Sequence, residues 1–470
     1  MLNVPVPTSP PSAEGVDPAG LIAFLDAVEA DPVIEPHGLV VQRHGRRVLE
    51  AWWAPHRAGE RRLVYSLSKS FTGAALGLAV GDGLLSLDDT VAQHLPDLVE
   101  GADVRTMRML VRHIASMASG HEDETLLSAM VEDPDDLVRG FLHVPPEHEP
   151  GTRFAYNQPP VLALATILQR VTGRRLVDQL GPRVLEPLGI EDLRWYQYRP
   201  GVDLGFSGVF TDLEAIARFG QLHLDDGVWE GQRLLPEGWV ELASSTQVDN
   251  SQRVEPDWRR GYGFQLWMCR HGYRGDGAFG QYMVVLPEQD AVVAFFSHTE
   301  PMQSFMDHIW DELLPAFGDG GTVDAGGDAA VAERIAGLHQ QTAAERTGGR
   351  AGCDALAAGR YQRAEGAPSH SSITAVEVVD GGIELHEGDV VTRIPLTPGW
   401  GDSADAPISA SAATGDHGRV TVDLALRATP HRLVVTLDPR DSTFAATWPM
   451  FPLFGLGLDH TIAGMRPPDA

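Results

Sequence analysis

At 470 residues the chain is too long for one ordinary domain and predicts two or three. A 43% hydrophobic share supplies a sizeable core, and a formal net charge of −29 excludes the basic patches that nucleic acid or an anionic membrane surface needs. Two cysteines, Cys269 and Cys353, are too few and too far apart for a disulfide framework.

Residues 1–18 are rich in Pro and Ser and lack the basic start and apolar centre of a secretory leader. No apolar run is long enough to span a bilayer, so a cytoplasmic location is expected. Residues 21–30 predict a short amphipathic helix stopped by Asp31-Pro32. Residues 38–43 and 48–53 read as two strands of a hairpin, turned at His44-Gly45-Arg46-Arg47.

Then comes Tyr65-Ser66-Leu67-Ser68-Lys69-Ser70, heading a small-residue helix over 72–80. Residues three apart share a helix face, so the spacing brings the Ser66 hydroxyl and the Lys69 amine into one pocket. Lys69 is the sole lysine; the other thirty-five of the 36 basic residues are arginines. Arginine holds its proton at working pH, whereas a buried lysine can release it. The simplest reading makes Lys69 a base; the competing one is an ordinary helical lysine at an accidental spacing.

Helices are expected over 104–117, 134–142, 161–171, 176–188, 213–224, 236–245 and 302–314, the second capped by Asp133 with Pro134 in its first turn. Strands are expected over 262–269, 281–287 and 290–297, with the glycine-rich run 272–280 between the first two and a turn at 275–280. These elements predict an α/β (α+β) fold: an antiparallel sheet flanked by helices, with an inserted helical subdomain. Composition shifts at Phe317. A Gly/Asp-rich linker over 318–329 and a helix over 330–345 lead to short strands at 372–379, 382–385, 390–394, 419–426, 433–437 and 443–447. That spacing suggests a small lipocalin-like β-barrel or a sandwich. The expected domains are therefore 1–318, a linker and helix over 319–357, and a β-rich domain over 358–470.

Residues 38–317 resemble the serine β-lactamase-related superfamily, in its class C, esterase and D-aminopeptidase-like branch, which has the penicillin-binding-protein fold. Tyr65-Ser66-Leu67-Ser68-Lys69-Ser70-Phe71 resembles its S-x-x-K nucleophile motif. Leu85-Ser86-Leu87-Asp88-Asp89, Pro150-Gly151-Thr152-Arg153-Phe154-Ala155-Tyr156-Asn157, Ser207-Gly208, Ala217-Arg218-Phe219-Gly220-Gln221-Leu222 and Gly277-Ala278-Phe279-Gly280-Gln281 resemble later landmarks in the same order. The resemblance implies an acyl-enzyme on Ser66, with Lys69 and Tyr156 as general bases. It implies an oxyanion hole from the backbone N–H groups of Ser66 and Ala278. A Tyr156 beside a cationic lysine is expected to ionise more easily. The competing readings are a loop tyrosine packed on helix 161–171 and a merely flexible turn at 275–280.

Two departures bear on substrate. Gln158 stands where the second motif has Asn, with Asn157 beside it as a further substrate-binding candidate. Gly275-Asp276-Gly277 stands where the third motif has a cation, a hydroxyl and glycine. Asp276 and Gly277 are thus substrate-binding candidates, and the negative charge disfavours a carboxylate-bearing β-lactam. Trp195, Tyr196, Tyr198, Trp258 and Trp267 are pocket or packing aromatics, and His298 lies near the third motif or in the core. His121-Glu122-Asp123-Glu124 and Glu147-His148-Glu149 look metal-like, but H-E-x-x-H is missing. No metal or cofactor is called for. The expected partner is a small ester, amide or peptide; oligomeric state is not fixed. The function expected is a serine hydrolase of the carboxylesterase or amidase type. The alternatives are an acyltransferase or peptide cyclase on the same acyl-enzyme, a β-lactamase, or a non-catalytic binding module.

Overall fold

The computed structural model describes residues 6–318, 325–353, 356–366 and 371–453. Two compact units divide the chain. One takes Met1–Ile34, Leu39–Glu50 and Val64–Arg334; the other takes Glu35–Gly38, Ala51–Leu63 and Ile335–Ala470.

The first unit is organised by a six-stranded sheet, of which Glu35–Gly38 and residues 51–52 are counted with the second unit. Its strands are β1 (Ile34–Arg43), β2 (Arg46–Trp52), β3 (Trp267–Cys269), β4 (Gly272–Gly277), β5 (Gln281–Leu286) and β6 (Ala291–Thr299), in the order β3-β4-β5-β6-β1-β2. The β1–β2 turn narrows to His44 and Gly45, both at positive φ, as a two-residue hairpin requires. Strands β5 and β6 are buried at every position. Both their faces are covered by helices, so their sequences run apolar instead of alternating. On one face Gly220, in helix Leu213–Leu224, brings backbone against Val292 and Met283. On the other, Phe305 stacks on Phe295 at 3.7 Å and meets Phe24 of the N-terminal helix at 6.1 Å. The result is an α/β fold with the sheet between helical layers.

Helix α1 (Pro18–Ala30) is capped by Asp17, and helix α2 (Ser68–Gly81) is buried from Ser68 through Ala79. The helical insertion differs in detail from expectation. The run 104–117 forms two short helices, Val104–Arg108 and Val111–Ala115, because Met109 turns extended between them. Helix α3 (Leu126–Glu132) was not anticipated. The expected 134–142 helix becomes α4 (Leu137–His143), capped by Asp136. Asp133 instead accepts the amides of Asp135 and Asp136. Helix α5 (Pro159–Thr172) follows, with prolines in its first turn where an N–H has no helical partner anyway.

The second unit holds β7 (Gly359–Arg363), β8 (Ala375–Val379), β9 (Gly382–Glu387), β10 (Val390–Pro395), β11 (Ile408–Thr414), β12 (Val420–Leu426), β13 (Arg432–Asp438) and β14 (Thr443–Thr447). Two short strands, Arg350–Ala351 and Gly401–Asp402, pair with β11 to complete one ten-stranded sheet. The order β11-β12-β13-β14-β7-β8-β9-β10 is antiparallel except where β14 meets β7. Every strand from β7 to β14 sends residues into a single apolar core, including Tyr361, Val376, Leu385, Ile394, Leu424, Leu433 and Phe444. One face of a sheet this wide reaches one core only by curling around it. Part of the expected linker lies outside the described residues. Among those described, no helix is long and apolar enough to cross a membrane.

Candidate active site

Ser66 sits in a single 3-10 turn, Tyr65–Leu67, and α2 begins two residues later. Tyr65 has φ +47°, a left-handed conformation costing about 1 kcal/mol or more for a residue with a side chain. Its ring meets Phe279 edge-on at 5.3 Å, and the Ser68 hydroxyl donates to its carbonyl at 2.6 Å. The same hydroxyl accepts from the Val209 N–H at 2.9 Å, tying the turn to the strand Val209–Thr211.

Lys69, only 2% exposed, brings its Nζ within 3.1 Å of Ser66 Oγ. It also donates to Gln158 Oε1 at 2.6 Å and to the Phe206 carbonyl at 2.8 Å. Burial drives its pKa down to about 7; Glu124 and Asp276 act against that fall. The Tyr156 ring lies 4.7 Å from the Lys69 nitrogen, and its hydroxyl hydrogen-bonds Ser66. Burial raises the Tyr156 pKa, Asp276 raises it further, and the Ser66 bond offsets only part. The expectation of an easily ionised tyrosine is therefore reversed: burial and the Asp276 charge outweigh the Ser66 bond, and Tyr156 rests as a neutral phenol.

Gln158 reaches the lysine and Asn157 does not. The Asn157 amide oxygen accepts from the Thr125 N–H at 3.1 Å and from its hydroxyl at 3.0 Å, pinning the loop before α3. Glu124, singled out by the sequence only as part of a metal-like run, accepts the Gln158 N–H at 3.1 and 3.2 Å and the Leu126 N–H at 3.1 Å. It holds the backbone of the residue that holds the lysine.

The glycine-rich run 272–280 is strand β4 as far as Gly277, which takes residues 275–277 out of the expected turn. The turn itself is only Ala278–Gly280, with Gly277 paired to Gln281. A Cβ on Gly275 would stand 2.2 Å from Ser70 Oγ, and one on Gly277 would stand 2.0 Å from the Val64 carbonyl. Glycine is required for β4 to press against the Ser66 turn, so no side chain can occupy position 275 where the family pattern has its cation. Gln281 Nε2 donates to the Phe279 carbonyl at 2.9 Å and to the Ser297 carbonyl at 2.8 Å, fixing the turn that carries the Ala278 N–H.

Arg274 and Asp276 project from the other face of β4. Asp276, 7% exposed, accepts from Arg274 Nε at 3.0 Å. Its pKa is raised, burial being the largest cause, with the Arg274 charge opposing. The bare negative charge expected there is thus matched by a buried cation. Arg274 also donates to the Asp257 carbonyl at 2.8 Å and lies over Trp258 at 4.1 Å and Trp267 at 5.7 Å. Trp267 in turn stacks on Tyr156 at 5.2 Å.

The remaining candidates fall elsewhere. Trp195 donates to the Ser207 carbonyl at 2.9 Å and meets Phe71 at 6.5 Å. Tyr196 is exposed, and the Tyr198 hydroxyl accepts from Leu137 N–H at 2.7 Å. His298 is buried at 6.0 Å from Phe279. The metal-like runs are dispersed: His121 bonds Ser119 and the Val144 carbonyl, and Glu122 pairs with Arg153. Among the described residues one group of three possible ligands converges, Glu377, Glu384 and His386 on one face of β8 and β9. Arg360 and Arg393 flank the two glutamates in the same cross-strand row.

A buried lysine on a serine hydroxyl, with a tyrosine behind and a glycine strand alongside, is an arrangement that can support attack by the serine oxygen. The Beta-lactamase family profile matches residues 30–316, and the chain belongs to that family, within the serine β-lactamase-related superfamily. It is 24% identical over 280 residues to a 6-aminohexanoate-dimer hydrolase of Paenarthrobacter ureafaciens, covering 55% of this chain and 71% of that protein. A D-aminopeptidase of Brucella anthropi is 30% identical over 175 residues, which is 33% of this chain and only 32% of that protein. A penicillin-binding protein homologue from Pyrococcus abyssi shares the fold, with a TM-score of 0.51 at 16% identity over 88% of this chain and 98% of that one. The first two are named for hydrolytic activities, a dimer hydrolase and an aminopeptidase.

Proposed function

We propose that this chain is a serine hydrolase that cleaves an ester or amide through an acyl-enzyme on Ser66. The observation that carries the reading is the hydrogen bonding of Lys69. Gln158 Oε1 and the Phe206 carbonyl are fixed acceptors at 2.6 and 2.8 Å. They take the two N–H bonds of a neutral amine, which turns its lone pair toward Ser66 Oγ at 3.1 Å. With a pKa near 7 that neutral form is available at neutral pH.

In this reading Lys69 takes the Ser66 proton while Oγ bonds the substrate carbonyl carbon. The oxygen that becomes negative is met by the N–H groups of Ser66 and Ala278. The Lys69 proton then passes by way of the Tyr156 hydroxyl to the leaving oxygen or nitrogen, whose bond to carbon breaks. Water enters by the reverse proton path and releases the acid. Tyr156, held neutral, relays the proton and Lys69 is the base. Gly275 in the cation's place and Arg274 committed to Asp276 favour substrates without a carboxylate at that end. The names of the relatives, a dimer hydrolase and an aminopeptidase, agree with amide chemistry.

A fluorophosphonate probe with peptide mapping tests this directly. An adduct on Ser66, and p-nitrophenyl acetate hydrolysis that Ser66→Ala abolishes, are the expected results. An unlabelled Ser66, or hydrolysis undiminished in Ser66→Ala, refutes it.

A further inference from the structure

Beyond Trp267 the first unit carries a groove of about 530 Å³, lined by Arg253, Glu255, Trp258, Glu300, Met302 and Gln303 among others. Two chains of contacts lead from its lining back to Ser66. One is aromatic: Tyr156 stacks on Trp267 at 5.2 Å, and Trp267 meets Trp258 edge-on at 6.4 Å. The other is backbone. Thr299 N–H donates to the Phe279 carbonyl at 3.2 Å, so Glu300 follows directly from the residue bonded to the Ala278–Gly280 turn.

The groove is rigidly built. The buried Asp257 carboxylate accepts from Gln303 at 2.7 Å and Trp310 at 3.0 Å and pairs with Arg270 at 2.8 Å. Its own N–H donates to Gln303 Oε1 at 3.1 Å. These bonds lock the 253–258 loop to the segment after β6. Charges in the groove are uneven. Arg253 lies 3.6 Å from Glu255, which leaves the Glu300 carboxylate with no ion-pair partner among the described residues. A ligand carboxylate would find both nearby cations engaged, Arg253 by Glu255 and Arg274 by Asp276.

We propose that this groove is the subsite for the leaving-group half of the substrate, and that it takes an alkyl chain ending in an ammonium group. The chain lies over Trp258 and Met302, and the ammonium sits against Glu300, where a carboxylate and an indole both favour a cation. The leaving-group side is assigned because Tyr156, the relay to the departing atom, ends the series of ring contacts that starts at Trp258. This subsite rests on the hydrolase reading given above.

Calorimetric titration of the Ser66→Ala protein measures the subsite without turnover. The ligands are N-acetylputrescine, its neutral diacetyl counterpart and N-acetyl-5-aminovalerate, which end in an ammonium, an amide and a carboxylate. The ammonium ligand should bind about tenfold tighter than the neutral one, the sum of one partly exposed ion pair and one cation–π contact, and the carboxylate weakest. Glu300→Gln should erase that advantage, and Glu300→Lys should reverse the order, with melting temperatures confirming that both variants fold. Equal affinities, no binding of any ligand, or an advantage that survives Glu300→Gln overturns the proposal. Wild-type p-nitrophenyl acetate hydrolysis and the fluorophosphonate adduct do not use the groove. Their loss would sink the hydrolase reading, whereas failure of the titrations alone would sink only the subsite.

Discussion

Strands β5 and β6 of the first unit are buried at every residue, whereas β13 and β14 of the second alternate buried and half-buried positions. A strand covered on both faces belongs to a sheet from which water is excluded, and a charged group beside it loses its solvation. That is the condition under which Lys69 can serve as a base near neutral pH. The second sheet also buries charge, but in ion pairs: Asp423, fully buried, is held by Arg346. On its strands β8 and β9 the half-buried Glu377 and Glu384 stand in one row with Arg360 and Arg393, with His386 in the next row, and solvent-screened pairs of this kind contribute only tenths of a kcal/mol. The lesson is that chemistry in this chain follows dryness, not the density of polar groups.

The largest test of that contrast is Lys69→Arg. Arginine keeps its proton even when desolvated, so kcat/KM on a short ester should fall about 10³-fold or more, with melting temperature as the control. Activity within tenfold of wild type would break the argument that the dry pocket exists to free the amine. Next come paired truncations read by urea unfolding. In β13, Leu433→Ala should cost about 2–5 kcal/mol and its half-buried neighbour Val434→Ala much less. In β5, Val284→Ala and Val285→Ala should both cost about 1 kcal/mol or more, because neither faces water. Equal costs in β13, or a cheap member in the β5 pair, would erase the distinction between the sheets.

A smaller effect is the pH profile. Only the neutral Lys69 accepts a proton, so kcat/KM should rise with pH and level off above about 7. A profile flat from pH 5 to 9 contradicts the assignment. Smallest is Glu124→Gln. Its carboxylate favours the ammonium form of Lys69, so removing the charge should displace the acid limb to lower pH. The amide oxygen can still accept the Gln158 N–H, so a role confined to holding the loop would leave the limb where it was.

The Ser66–Lys69 pair was legible because three-residue spacing is local and because one lysine stands among arginines. The alternating strands of the second unit were legible for the same local reason, while the parallel pairing of β14 with β7 joins distant segments and leaves no periodic trace. The end of strand β4, residues 275–277, reads as a turn in sequence because glycine ordinarily weakens strands. Its glycines serve the close approach to Ser70 and Val64, a constraint written in tertiary space. Phe206 contributes through its carbonyl, which any residue would supply. Glu124 acts through a backbone amide 34 positions away, beyond any helical or strand period. Arg274 and Asp276 alternate correctly for one strand face, yet their pairing became visible only once β4 was known to be a strand.

The isolation of Lys69 has a spectroscopic use. A protein grown on lysine enriched with ¹⁵N at the ε position carries a single labelled side chain, enclosed by Ser66, Gln158 and the Phe206 carbonyl. One resonance then reports the proton inventory of the reaction centre during titration, inhibition or turnover, with no assignment problem and no second amine of its kind to obscure it.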